Sequence, residues 1–166
     1  MNKLNINAIA LAVTLAFSAG AMAEGMSKAD YKAGKDKISA MYKTDKAACS
    51  SLSGNASDIC KAEAKGKEDV AAAELEASYQ PTSKNRYQAR VAKADADYGV
   101  AKEKCDDLSG NTKDVCVKEA KAAQTAAIAD AKTQMTTSDA NTTANEKTSD
   151  ARNDASQKSA DARKDA

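Results

Sequence analysis

From Tyr87 to Leu108 the apolar residues fall at alternating spacings of four and three: Tyr87, Val91, Ala94, Tyr98, Ala101, Cys105 and Leu108. That rhythm keeps one face of a helix apolar and predicts an a/d seam. A weaker version runs through Tyr31, Ile38, Tyr42, Cys49 and Leu52, with Lys35 and Asp45 in the seam, so its packing is expected to be looser. Each run ends at Ser-Gly-Asn. Gly54 and Gly110 tolerate the left-handed conformation in which many helices stop. Asn55 and Asn111 are placed to cap the following helix, with Asp58 and Asp114 three residues on in a box-like position. Each stretch therefore reads as helix, tight turn, helix.

The two stretches are copies. A shift of 56 residues lays Tyr31 on Tyr87, Tyr42 on Tyr98, Lys46 on Lys102 and Cys49 on Cys105, and Leu52-Ser53-Gly54-Asn55 on Leu108-Ser109-Gly110-Asn111. Asp58 then meets Asp114, Cys60 meets Cys116, and Glu63-Ala64-Lys65 meets Glu119-Ala120-Lys121, with no gap. Such a match indicates a duplicated unit. Between the copies, Gln80-Pro81-Thr82-Ser83-Lys84-Asn85 breaks the pattern, and Pro81, the one proline of the chain, marks the end of a helix. The expected organisation is a first helical hairpin over 24–80, a linker over 81–86, a second hairpin over 87–135 and a tail over 136–166.

The cysteine spacing is informative. Along one continuous helix, eleven residues would separate two cysteines by about 16 Å, whereas a disulfide needs Cα atoms within about 7 Å. The turn removes the difficulty, with Cys49 late in one helix and Cys60 early in the next, and Cys105 and Cys116 in the same relation. Four cysteines allow three connectivities; the duplication favours 49–60 with 105–116. The alternatives are a redox or a metal site. Redox centres usually use C-x-x-C, and zinc needs four ligands in a chain that has no histidine. Structural disulfides are the expected reading, with no metal and no cofactor.

Past Met135 no apolar side chain exceeds alanine. Thr137-Ser138-Asp139-Ala140 returns as Thr148-Ser149-Asp150-Ala151 and again as Ser159-Ala160-Asp161-Ala162, a period of eleven. That period keeps a stripe on one face of a straight helix, but a stripe of alanine drives little packing. The tail is expected to be low-complexity and either partly helical or disordered. The fold class is thus all-α: two disulfide-stapled antiparallel helical hairpins followed by this tail.

The first residues bear on the compartment. Lys3 precedes an apolar run from Ile6 to Phe17, and Ala21-Met22-Ala23 forms an A-x-A site. The order is that of a secretory signal peptide over 1–23, with cleavage between Ala23 and Glu24. As a membrane anchor the run falls short of the roughly 20 apolar residues a span needs. A periplasmic location in a Gram-negative bacterium is expected. Removing 23 of the 166 residues takes one lysine and no acid, leaving 24 basic against 24 acidic residues. A neutral, evenly mixed chain has no field to draw in nucleic acid or anionic lipid. It also loses its single phenylalanine, Phe17, and has no tryptophan. A core this poor gains much from covalent staples.

The elements Cys-x-x-Leu-Ser-Gly-Asn-x-x-Asp-x-Cys-x-x-Glu-Ala-Lys, with Arg90-Val91-Ala92-Lys93-Ala94-Asp95-Ala96-Asp97-Tyr98, resemble a group of small exported proteins of β-proteobacteria and their relatives, sometimes labelled TolA-like or cell-envelope biogenesis proteins. The resemblance covers residue 28 to about 135 and brings no functional residues with it. The tail resembles the eleven-residue repeats of group 3 late embryogenesis abundant proteins.

Enzymatic function is not expected. No histidine is present for acid–base work near neutrality, no nucleophile motif or phosphate loop occurs, and the carboxylates alternate with lysines as on a solvated helix face. The leading expectation is a periplasmic helical structural or interaction protein that acts in envelope maintenance through a protein partner or self-association. The other is a hydrophilic stress protectant. Membrane binding by an amphipathic helix is disfavoured by poor apolar faces and the absent basic excess.

Overall fold

The computed structural model describes residues 25–164 and, among these, is all-helical with no strands. The leader and its cleavage site at Ala23 and Glu24 lie outside the described residues. Four α-helices follow one another: α1 (Lys28–Ala48), α2 (Gly54–Tyr79), α3 (Ser83–Cys105) and α4 (Gly110–Lys164), with a 3-10 turn at Cys49–Ser51 after α1. Their alanine, lysine and glutamate content favours helix throughout.

The ends have local causes. Ser27 opens α1, its Oγ accepting from the Asp30 amide at 3.1 Å, and Thr82 opens α3 by accepting from the Asn85 amide at 3.1 Å. Lys102 and Lys104 lie in the last turn of α3, where a cation suits the exposed carbonyls. Pro81 ends α2. The linker is shorter than 81–86, because Thr82 caps early enough for α3 to begin at Ser83. At the other boundary, α4 continues through Met135 without a break. Nothing in Thr136–Ser138 stops a helix, since that segment has no glycine or proline.

Each helix lies against its neighbours in sequence: α1 on α2, α2 on α3, α3 on α4. The start of α1 meets the end of α2, where the rings of Tyr31 and Tyr79 stack with centroids 4.3 Å apart. Farther along, Asp45 of α1 pairs with Lys67 of α2 at 3.4 Å. On the other side, Lys132 and Lys121 of α4 lie 5.8 and 5.0 Å from the ring centroids of Tyr87 and Tyr98 in α3. Helices α1 and α4 do not touch, so the arrangement is an open row and not a closed bundle.

The core is thin. Its buried apolar residues are Cys49, Ala64, Ala94, Cys105 and Ala131, and the two cysteines are the largest fully buried side chains. α1 buries none of its residues, consistent with charged Lys35 and Asp45 in its seam. The larger apolar residues, among them Ile38, Ile59, Val70, Val91 and Ile128, are only half-buried. Two glycines set the helix spacing. A Cβ on Gly66 would stand 2.8 Å from the Ala96 Cβ, so α2 and α3 approach closely there. A Cβ on Gly34 would meet the Leu75 methyls at 2.8 and 2.9 Å.

Candidate functional site

The two turns form the most constructed part of the molecule. Cys49 and Cys60 are joined, with Cα atoms 5.6 Å apart. Cys105 and Cys116 are joined, with Cα atoms 5.7 Å apart. Both separations fall inside the range a disulfide requires. Cys49 and Cys105 close the first helix of each unit, and Cys60 and Cys116 lie two turns into the next. No cysteine is free, and both disulfides hold a sulfur in the buried interior.

The turn residues do different work from that expected of them. Gly54 and Gly110 have φ of +57° and +55°, but each opens the following helix instead of closing the preceding one, which has already ended at Ala48 or Cys105. Asn55 does not cap α2, since it sits inside the helix. Its Nδ2 donates 2.8 Å to the Glu103 carbonyl near the end of α3, tying the first turn to the second. The two stapled turns therefore lie side by side at one end of the row. Asn111, at the matching place in the second turn, is exposed. Asp58 pairs with Lys61 at 3.1 Å, and Asp114 is exposed. Leu52 and Leu108, at the same place in each turn, remain 45% and 40% exposed, which gives this end a small apolar tip.

The opposite end of the row carries a clamp that periodicity did not reveal. The Tyr31 hydroxyl donates to Glu76 Oε2 at 2.5 Å while its ring stacks on Tyr79. The hydrogen bond to Glu76, then desolvation, then the glutamate charge hold the Tyr31 phenol above its ordinary pKa. At the equivalent place in the second unit the partners differ: Lys132 stands for Glu76 and Met135 for Tyr79. Comparing the copies position by position is the signal that exposes this divergence.

Along α2, the salt bridges of Lys65 with Glu68 and Asp69 raise its pKa, the Asp69 hydrogen bond contributing most. These are exposed helix pairs of small energetic weight. Among the described residues no cluster of three cysteines or carboxylates is arranged to hold a metal, and no helix is long and apolar enough to cross a membrane. No family model, no curated protein and no solved structure matches the chain.

Proposed function

We propose that this is a non-enzymatic helical structural or interaction protein of the periplasm, acting in cell-envelope maintenance through a protein partner or self-association. The observation that carries the reading is the pair of disulfides at one end of an open row of helices. Two stapled antiparallel hairpins make a scaffold whose rigidity does not depend on a large core, and an open row leaves broad helical faces available. Disulfides also suit an oxidising compartment. Photo-crosslinking in living cells from Met41, Leu52 and Leu108, each exposed, tests the proposal. One saturable adduct supports it, and a smear indistinguishable from that of an unrelated periplasmic protein removes it.

A second reading, a hydrophilic stress protectant, is favoured by one observation. Every residue from Asp139 to Lys164 is exposed, although the segment belongs to α4. A solitary helix with no apolar stripe is marginal in water and becomes favourable when water is withdrawn. Circular dichroism in solution and during drying separates the readings: a tail whose helicity stays flat as it dries has no protectant role of this kind.

A further inference from the structure

A groove of about 480 Å³ opens between the start of α3 and the middle of α4. Its α3 wall carries Arg86 and Arg90, and its α4 wall carries hydroxyls and amides that include Thr137, Ser138, Asn141 and Asn145. No carboxylate lines it, in a chain where acids are nearly as frequent as bases. Arg86 is held by its Nη1 donating 2.7 Å to the Pro81 carbonyl. Neither arginine is in an ion pair among the described residues.

The duplication supplies an internal control. At the two arginine positions the first unit has Asp30 and Gly34, and at Lys132 it has Glu76. There Asp30 accepts from the Ser27 hydroxyl at 2.7 Å, and Glu76 accepts from Tyr31. The same architectural corner is therefore acidic and closed by the Tyr31–Tyr79 stack in one unit, but basic and open in the other. A shared fold requirement does not explain a difference between copies.

We propose that this groove binds an anionic saccharide, with Arg86 and Arg90 taking its carboxylate or other acid group. Guanidinium forks match a planar acid group in two parallel hydrogen bonds. Hydroxyls and primary amides both donate and accept, as sugar hydroxyls do, and they run along α4 from Thr137 to Asn145 for about 12 Å at 1.5 Å per residue. An acidic peptide has less to use here, because Met135 is the sole apolar residue of the lining. A nucleic acid would need aromatic platforms for its bases, and no aromatic residue lines the groove.

Calorimetric titration of the full-length, oxidised protein with a hexamer of galacturonic acid tests this. The hexamer is expected to bind, and Arg90→Gln is expected to weaken it about tenfold, the effect of losing one charge-assisted contact. Arg90 makes no hydrogen bond that holds the fold, so the variant keeps its helices; Arg152→Gln in the exposed tail is expected to bind like the unaltered protein. Neutral maltohexaose is expected to bind far more weakly, as are hexaglutamate and inorganic phosphate. The proposal is overturned if the galacturonate hexamer does not bind, or if Arg90→Gln binds it as well as the unaltered protein does. It is equally overturned if maltohexaose, hexaglutamate or phosphate matches the galacturonate hexamer.

Discussion

Removing the disulfides is the perturbation whose size follows most directly from the fold. Each bond closes a loop with a sequence separation of 11. In the chain-entropy treatment such a loop restricts the unfolded chain by about 9 cal/mol/K, or about 2.8 kcal/mol at 25 °C. Cys49→Ala with Cys60→Ala also removes a fully buried sulfur, which adds about 1 kcal/mol of lost burial. Each pair should therefore cost about 3–4 kcal/mol, and both together about 6–8. A small domain has about 5–15 kcal/mol in total, and among the described residues this one has no buried apolar side chain larger than cysteine. Urea unfolding followed at 222 nm, with a slope of about 2 kcal/mol/M, should place the midpoint about 1.5–2 M lower for either double variant. The quadruple variant should be largely unfolded without urea. Reduction of the unaltered protein provides the same comparison without changing a side chain. Equal loops predict equal losses from the two pairs. If the quadruple variant unfolds within about 0.5 M of the parent, the staples do not hold this fold and its stability has another source.

Three further outcomes are expected. Gly66→Ala should destabilise by about 1–3 kcal/mol, because its Cβ would meet the Ala96 Cβ and backbone at 2.8 and 3.4 Å; Gly99→Ala, with nothing within 4 Å, should stabilise by about 0.5–1 kcal/mol. Thermal melts that move both variants the same way would refute the close approach of α2 and α3. Tyr31 should ionise above the ordinary phenol value in an absorbance titration at 295 nm, and Glu76→Gln should return it toward that value. A phenol whose folded pKa exceeds its unfolded value of about 10 stabilises the fold fully below that pH and ceases to as pH rises through the folded value. The Tyr31 contribution should therefore be lost above pH 10, not in acid. Deleting 139–166 should reduce the helical signal yet leave the urea midpoint unchanged, since that part of α4 is exposed from Asp139 to Lys164.

Periodicity and duplication made the all-helical character legible, and geometry at the turn made the cysteine partners legible. Both are local or repeat-based signals, carried by residues close in sequence or 56 apart. What could not be read was tertiary. Asn55 looks like a cap by its place after glycine, but α3 lies close enough for its amide to reach the Glu103 carbonyl. That choice depends on how the two units sit together, which no single unit encodes. Gly66 carries no turn signal because its role is to admit Ala96. Arg86 and Arg90 look like two more charges on a mixed helix until α4 supplies the opposite wall of their groove.

The duplication also shows that the positions of the α2–α3 contact are not kept on the outer faces of α1 and α4. The α2–α3 contact uses small residues: Gly66 against Ala96, flanked by Ala62, Ala92 and Gly99. A third unit would dock on the outer face of α4, or a preceding one on the outer face of α1, through the equivalent positions. On α4 these are Lys118 for Ala62 and Ala122 for Gly66; on α1 they are Asp36 for Ala92 and Lys43 for Gly99, all exposed. Ala122 supplies the very Cβ that the close approach at Gly66 has no room for. Terminal faces that turn polar are what limits stacked repeats. A second copy of this chain therefore cannot extend the row by repeating the α2–α3 contact, and self-association has to use other surfaces, among them the tip where Leu52 and Leu108 are exposed.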